Sequence, residues 1–155
     1  MPGVDLSAAL KSALGASRVA TQGVAYSASL LGNLQSGGCP PGEAADMAAL
    51  IGQVASQCPS AKIVVAGYSQ GAAMVHRSIE VASTAVKAKI VAAVTFGDTQ
   101  NAQDGGRIPG FDTAKTRIFC NDGDRVCDGT LIITGAHSDY RSSINPAVTF
   151  IRGRV

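Results

Sequence analysis

Residues 61–75 constrain the fold more than any other stretch of the chain. The apolar run of residues 61–67 leads into Gly67-Tyr-Ser-Gln-Gly71 and then into Ala72-Ala-Met-Val75, which reads as the start of a helix. An apolar run without alternation suits a strand covered on both faces, as in a parallel sheet. In a chain with 18 glycines the letters G-x-S-x-G say little by themselves; their place between a strand and a helix says more. At such a turn two residues without side chains let the strand and helix backbones approach, and the serine hydroxyl projects at the C-terminal edge of the sheet. Ser69 is therefore a candidate nucleophile, and the backbone N–H of Gln70, at a helix N-terminus, is a candidate oxyanion donor. The plainer alternative is a glycine-rich connection with Ser69 as a helix cap.

The rest of the pattern agrees with an α/β architecture. Residues 4–14 place Val4, Leu6, Ala9, Leu10, Ala13 and Leu14 on helical spacing, and residues 43–57 carry Ala45, Met47, Ala48, Leu50, Ile51, Val54 and Ala55 on one broad face. Residues 18–24 read as extended, and a loop-rich connection runs from 26 to 39. Helix is expected again over 72–82 and 144–152. Strands are expected over 89–96 and 116–120, separated by a Gly-, Asp- and Pro-rich loop at 97–114. Alternation of helix and strand argues for a parallel sheet covered by helices, and 155 residues with 46% apolar content suit one domain.

Composition removes several classes of function. The net charge is +2, with 15% charged residues and no Lys/Arg run, so nucleic acid is not an expected partner. No apolar stretch approaches the roughly 18 residues of a membrane-spanning helix, and a soluble chain is expected. The N-terminal residues lack the basic start, apolar stretch and cleavage site of a signal peptide. Four cysteines without a C-x-x-C pair, and with only two histidines, fit disulfides better than a zinc site; no metal is expected.

A serine hydroxyl needs a base, and the chain offers His76 and His137. His76 lies seven positions after Ser69 on the same expected helix, about 10 Å along its axis at 1.5 Å per residue, too far for a hydrogen bond. It is expected to be a partly exposed helix residue. His137 follows the apolar segment 131–133 in a loop and satisfies the chain order serine, acid, histidine. The acid must then lie between 69 and 137. Asp124 is best placed, inside Cys120-Asn-Asp-Gly-Asp-Arg-Val-Cys127 just after an expected strand, where a short disulfide loop would hold a carboxylate against the imidazole. Asp98 is the main rival and Asp122 the next; both have a plain reading as turn residues.

With these residues in place, the chain resembles the cutinases in Gly67-Tyr-Ser-Gln-Gly71, Gly106-Arg-Ile-Pro109, Phe119-Cys-Asn-Asp-Gly-Asp-Arg-Val-Cys127 and a histidine ten positions after Cys127. The resemblance implies a three-layer α/β/α fold with a mainly parallel sheet, a small α/β-hydrolase without a lid. It implies Ser69 as nucleophile, Asp124 as acid, His137 as base, Gln70 as one oxyanion donor, and a disulfide between Cys120 and Cys127. Tyr68, Leu31, Asn33, Leu131, Ile132 and Ile133 correspond to the substrate crevice, Asn33 to an asparagine that braces the oxyanion loop. The implied substrates are cutin and short-chain soluble esters, with no cofactor, in a secreted monomer; acetylxylan esterase and a catalytically impaired, truncated relative are the alternatives. By the same resemblance the chain begins just after the strand and hydroxyl-bearing loop that supply a second oxyanion donor. The cysteine that would partner Cys58 falls in that upstream region, and pairing of Cys58 with Cys39 stays open.

Overall fold

The central strand is apolar along its whole length, and it organises the molecule. The computed structural model describes residues 1–155, with a three-stranded parallel sheet in the order β1 (Ile63–Tyr68), β2 (Ile90–Phe96), β3 (Thr116–Phe119). Val64 to Tyr68 pair with Ala92 to Phe96, and Ala93 to Phe96 pair with Thr116 to Phe119. All of β2 except Val91 is buried, because helices cover both of its faces.

Side chains of β2 alternate between two cores, as the two-residue period of a strand requires. Ala93 packs with Val65 and Ile63 of β1 against helices α2 (Pro41–Gln57) and α3 (Gln70–Val81), in a cluster that includes Met47, Ile51, Met74, Val75 and Ile79. Ala92, Val94 and Phe96 face the other way, against Leu6 and Leu10 of α1 (Pro2–Leu14) and Ile144, Ala147, Val148 and Ile151 of α6 (Arg141–Arg152). The three- and four-residue spacing of those apolar positions gives α1, α2 and α6 one buried stripe each, while α3 is buried all round over Ala72–His76. The result is the expected helix, sheet, helix layering.

Several boundaries differ from expectation. Thr84–Lys89 is a helix, α4, that the apolar pattern does not announce; Ser83 caps it by accepting a hydrogen bond from the Val86 N–H at 3.2 Å. Residues 18–24 join no strand: a short 3-10 turn at Ala16–Arg18 gives way to irregular chain, and the outer edge of β1 is unpaired. Residues 131–133 are irregular, as expected of a segment leading into a loop. They run exposed into the one-turn helix α5 (Gly135–Ser138). The expected Cys120–Cys127 disulfide is formed, while Cys39, buried, and Cys58, exposed, whose pairing the sequence left open, are free thiols.

Candidate active site

Ser69 links β1 to α3 with φ 55° and ψ −123°, a conformation that a residue with a Cβ occupies only under strain. The turn is held from both sides. The Ser69 N–H donates to the Phe96 carbonyl at 3.0 Å, and the Ala72 N–H donates to the Ser69 carbonyl at 2.9 Å. Gly67 is obligatory here, since a Cβ on it would run into the Gly71 carbonyl and stand 2.8 Å from the Ala72 nitrogen.

The side chain of Ser69 meets His137. Its hydroxyl lies 3.0 Å from His137 Nε2, and His137 Nδ1 lies 2.9 and 3.1 Å from the two carboxylate oxygens of Asp124. Because a carboxylate faces Nδ1, that nitrogen carries the proton and Nε2 presents its lone pair to the serine. Asp124 is 2% exposed and His137 3%. The carboxylate sits in the loop closed by the Cys120–Cys127 disulfide, with the Val126 N–H donating to Oδ1 at 3.0 Å and the Asp124 N–H bound to the Asn121 carbonyl. Asp122, two residues away, is exposed and takes no part.

Tyr68, expected to line the substrate crevice, also braces the histidine. Its ring stacks on the imidazole with centroids 5.1 Å apart, and its hydroxyl donates to the His137 carbonyl at 2.8 Å. Burial, and secondarily the Asp124 charge, raise the Tyr68 pKa, so the phenol stays protonated. Gln70 heads α3, where the first N–H groups lack intrahelical partners. Its side-chain amide donates to the Ser29 carbonyl at 2.7 Å and so ties the 3-10 turn Leu30–Leu34 to the nucleophile helix. In that turn Leu31 is exposed, and Asn33 donates only to the Leu30 carbonyl of its own turn, at 3.3 Å. Leu131, Ile132 and Ile133 are exposed on the segment that leads to His137.

His76 does not match its expected place. It is fully buried, with Nε2 2.8 Å from Asp98 and Nδ1 2.7 Å from Asp104, while Arg77 also binds Asp104. Asp98, the rival for the acid, thus belongs to this second cluster, where Thr95 donates to it as well. The apolar spacing of a helix cannot reveal this, since the partners come from a loop 22 and 28 residues further on. Two other residues were unmarked in the sequence. Gly97, at φ 53°, packs its backbone under the imidazole, and Tyr140 sends its hydroxyl to Asp124. No cluster of three or more His, Cys, Asp or Glu side chains is arranged to hold a metal ion.

A parallel sheet between helical layers, with a serine at a strained strand-to-helix turn bonded to a histidine that a carboxylate holds, defines an α/β-hydrolase of the serine esterase class. The cutinase family profile matches residues 1–155. The chain belongs to the cutinase family, whose members are carboxylic ester hydrolases. It is 67% identical over 154 residues to cutinase CUT2 of Pyricularia oryzae, covering 99% of this chain and 72% of that protein. It is 40% identical to a probable cutinase 3 of Neosartorya fischeri, covering 99% of this chain and 71% of the relative. A Trichoderma reesei cutinase solved in complex with a phosphonate inhibitor superposes with a TM-score of 0.86 at 36% identity, over 96% of this chain and 65% of that one.

Proposed function

We propose that Ser69, His137 and Asp124 are the catalytic triad of this esterase and that its substrates are cutin and short-chain soluble esters. The observation that carries the reading is the unbroken link from Ser69 Oγ through the imidazole to Asp124. Ser69 Oγ attacks the ester carbonyl carbon as His137 Nε2 takes the hydroxyl proton, giving a tetrahedral oxyanion. The Gln70 N–H stabilises that oxyanion, and a single donor of this kind is worth about 10² to 10³ in rate. Collapse breaks the bond to the alcohol oxygen, which leaves with the proton from Nε2. Water then attacks the acyl-enzyme with His137 again as base, releasing the acid and restoring Ser69. Asp124, bonded to Nδ1, orients the imidazole and stabilises the imidazolium.

Leu31 and residues 131–133 border this site as apolar walls for the acyl chain, and Asn33 steadies the Leu31 turn. A monomer acting outside the cell, with no cofactor, completes the proposal. It is supported by the family to which the chain belongs. Hydrolysis of p-nitrophenyl butyrate and palmitate by the chain and by Ser69→Ala tests it. A burst of nitrophenol that Ser69→Ala abolishes, with butyrate preferred, is expected; turnover that survives the substitution would place the chemistry elsewhere.

A further inference from the structure

Tyr140 precedes α6 and points its phenol at the back of the triad. Its hydroxyl donates to Asp124 Oδ2 at 2.6 Å, the oxygen nearest His137, and accepts from the Asn121 N–H at 3.0 Å. A phenol has one proton. With a backbone donor already aimed at its oxygen, that proton is committed to the carboxylate. The ring is 2% exposed and wedged edge-on against both Phe96 and Tyr68, so the hydroxyl has no freedom to turn elsewhere. Asn121 fixes the same corner from the other side, donating through its amide to the Ala136 and Asp139 carbonyls at 2.8 and 2.7 Å.

We infer that Tyr140 is a positioning residue that sets the basicity of the His137–Asp124 pair. The Val126 N–H on Oδ1 and the Tyr140 O–H on Oδ2 fix the carboxylate plane, and the phenol withdraws charge from the oxygen that faces the imidazole. Removing that donor should return charge to Oδ2 and strengthen its hold on the imidazolium. Burial and the bond to Asp124 raise the phenol's own pKa, so Tyr140 remains a donor wherever the enzyme works. The other groups facing the imidazole are Ser69 and Tyr68; Asp139, on the same segment as His137, is turned away to Arg141.

The rate arm of the test rests on the esterase reading and the titration arm does not. Tyr140→Phe keeps the ring and removes the donor. The acid limb of kcat/KM should move up by roughly half to one pH unit, less than the full worth of a hydrogen bond to a charged group because the phenol reaches the imidazole only through Asp124, with kcat falling about tenfold and KM little changed. The His137 Cε1 proton resonance, followed against pH by NMR, should show the same upward midpoint shift even in a chain that turns nothing over. Replacing Tyr140 by 3-fluorotyrosine, a stronger donor, should move the midpoint the other way and covers the case in which Tyr140→Phe fails to fold. A lower melting temperature with both midpoints unmoved would reduce Tyr140 to a packing role and overturn the inference.

Discussion

At the scale of single residues, the site depends on backbone that has no side chain to offer. Gly97 ends β2 at φ 53°, and a Cβ there would lie 2.8 Å from His137 Cε1, 2.9 Å from Nδ1 and 3.1 Å from Asp124 Oδ2. Gly97→Ala must push the imidazole off its carboxylate or leave its own strained conformation. Since displacement of a catalytic group by about 1 Å costs on the order of 10²-fold, kcat should fall by that factor, with a loss of about 1–2 kcal/mol in stability. Kinetics and a thermal melt of the variant check both; near-normal kcat would mean that the imidazole has room to spare. Gly67 was legible because it stands in the motif that explains it. Gly97 was not, because the ring it accommodates is forty residues away and becomes a neighbour only when β2 and α5 meet. Tyr140 is hidden for the same reason, since three residues past a histidine is not a spacing with meaning until Asp124 lies between them in space.

At the scale of elements, two side-chain networks fasten the sheet's C-terminal end to what surrounds it. The disulfide loop 120–127 carries Asp124 from β3 toward α5, and closing so short a loop is worth about 2–3 kcal/mol on a chain-entropy estimate. Replacing both Cys120 and Cys127 by serine should lower stability by that amount and reduce kcat more than KM, read by denaturant titration and steady-state kinetics; unchanged kcat would show that Val126 and Tyr140 hold the carboxylate without help. The second network ties α3 to the loop after β2 through His76, Asp98, Asp104 and Arg77. Burial opposes charge on His76, but the bonds and charges of Asp98 and then Asp104 outweigh it and raise its pKa; Asp98 is itself lowered, despite burial, chiefly by His76. A raised histidine contributes its full stability below its unfolded pKa of about 6.5 and loses it as pH climbs through the folded value. A lowered aspartate contributes fully above about 3.9 and loses it as pH falls. This network therefore stabilises most between about pH 4 and 6.5. His76→Gln should cost about 3–5 kcal/mol in that window and flatten the decline of melting temperature on the alkaline side; an alkaline slope equal to the parent's would assign that slope to other groups. Periodicity revealed α1, α2 and α6 because each buries one stripe; α3, buried all round over Ala72–His76, was announced by the motif before it, and α4 was missed because its signal is the Ser83 cap rather than an apolar face.

At the scale of the whole molecule, the buried and the exposed apolar side chains are separated in a way that bears on substrate. The two cores use up the apolar faces of α1, α2, α3 and α6. Of the ten large hydrophobic side chains left exposed, six fall in just two segments, Leu30, Leu31 and Leu34 beside Gln70, and Leu131, Ile132 and Ile133 before His137. Scattered exposure needs no explanation, but concentration in the two segments adjoining Gln70 and His137 does. In the sequence only the family resemblance singles these segments out, since 131–133 by itself has the composition of a strand; with no neighbouring strand it faces water. A long acyl chain laid between the two would cover surface that a butyrate never reaches. Replacing Leu31 and Ile132 by asparagine should therefore raise KM for p-nitrophenyl palmitate by about tenfold, since 1.4 kcal/mol of lost apolar burial has that effect, and leave kcat/KM for the butyrate within about threefold. Equal losses on both esters would move the role of these side chains from acyl contact to support of the Ser69 and His137 segments.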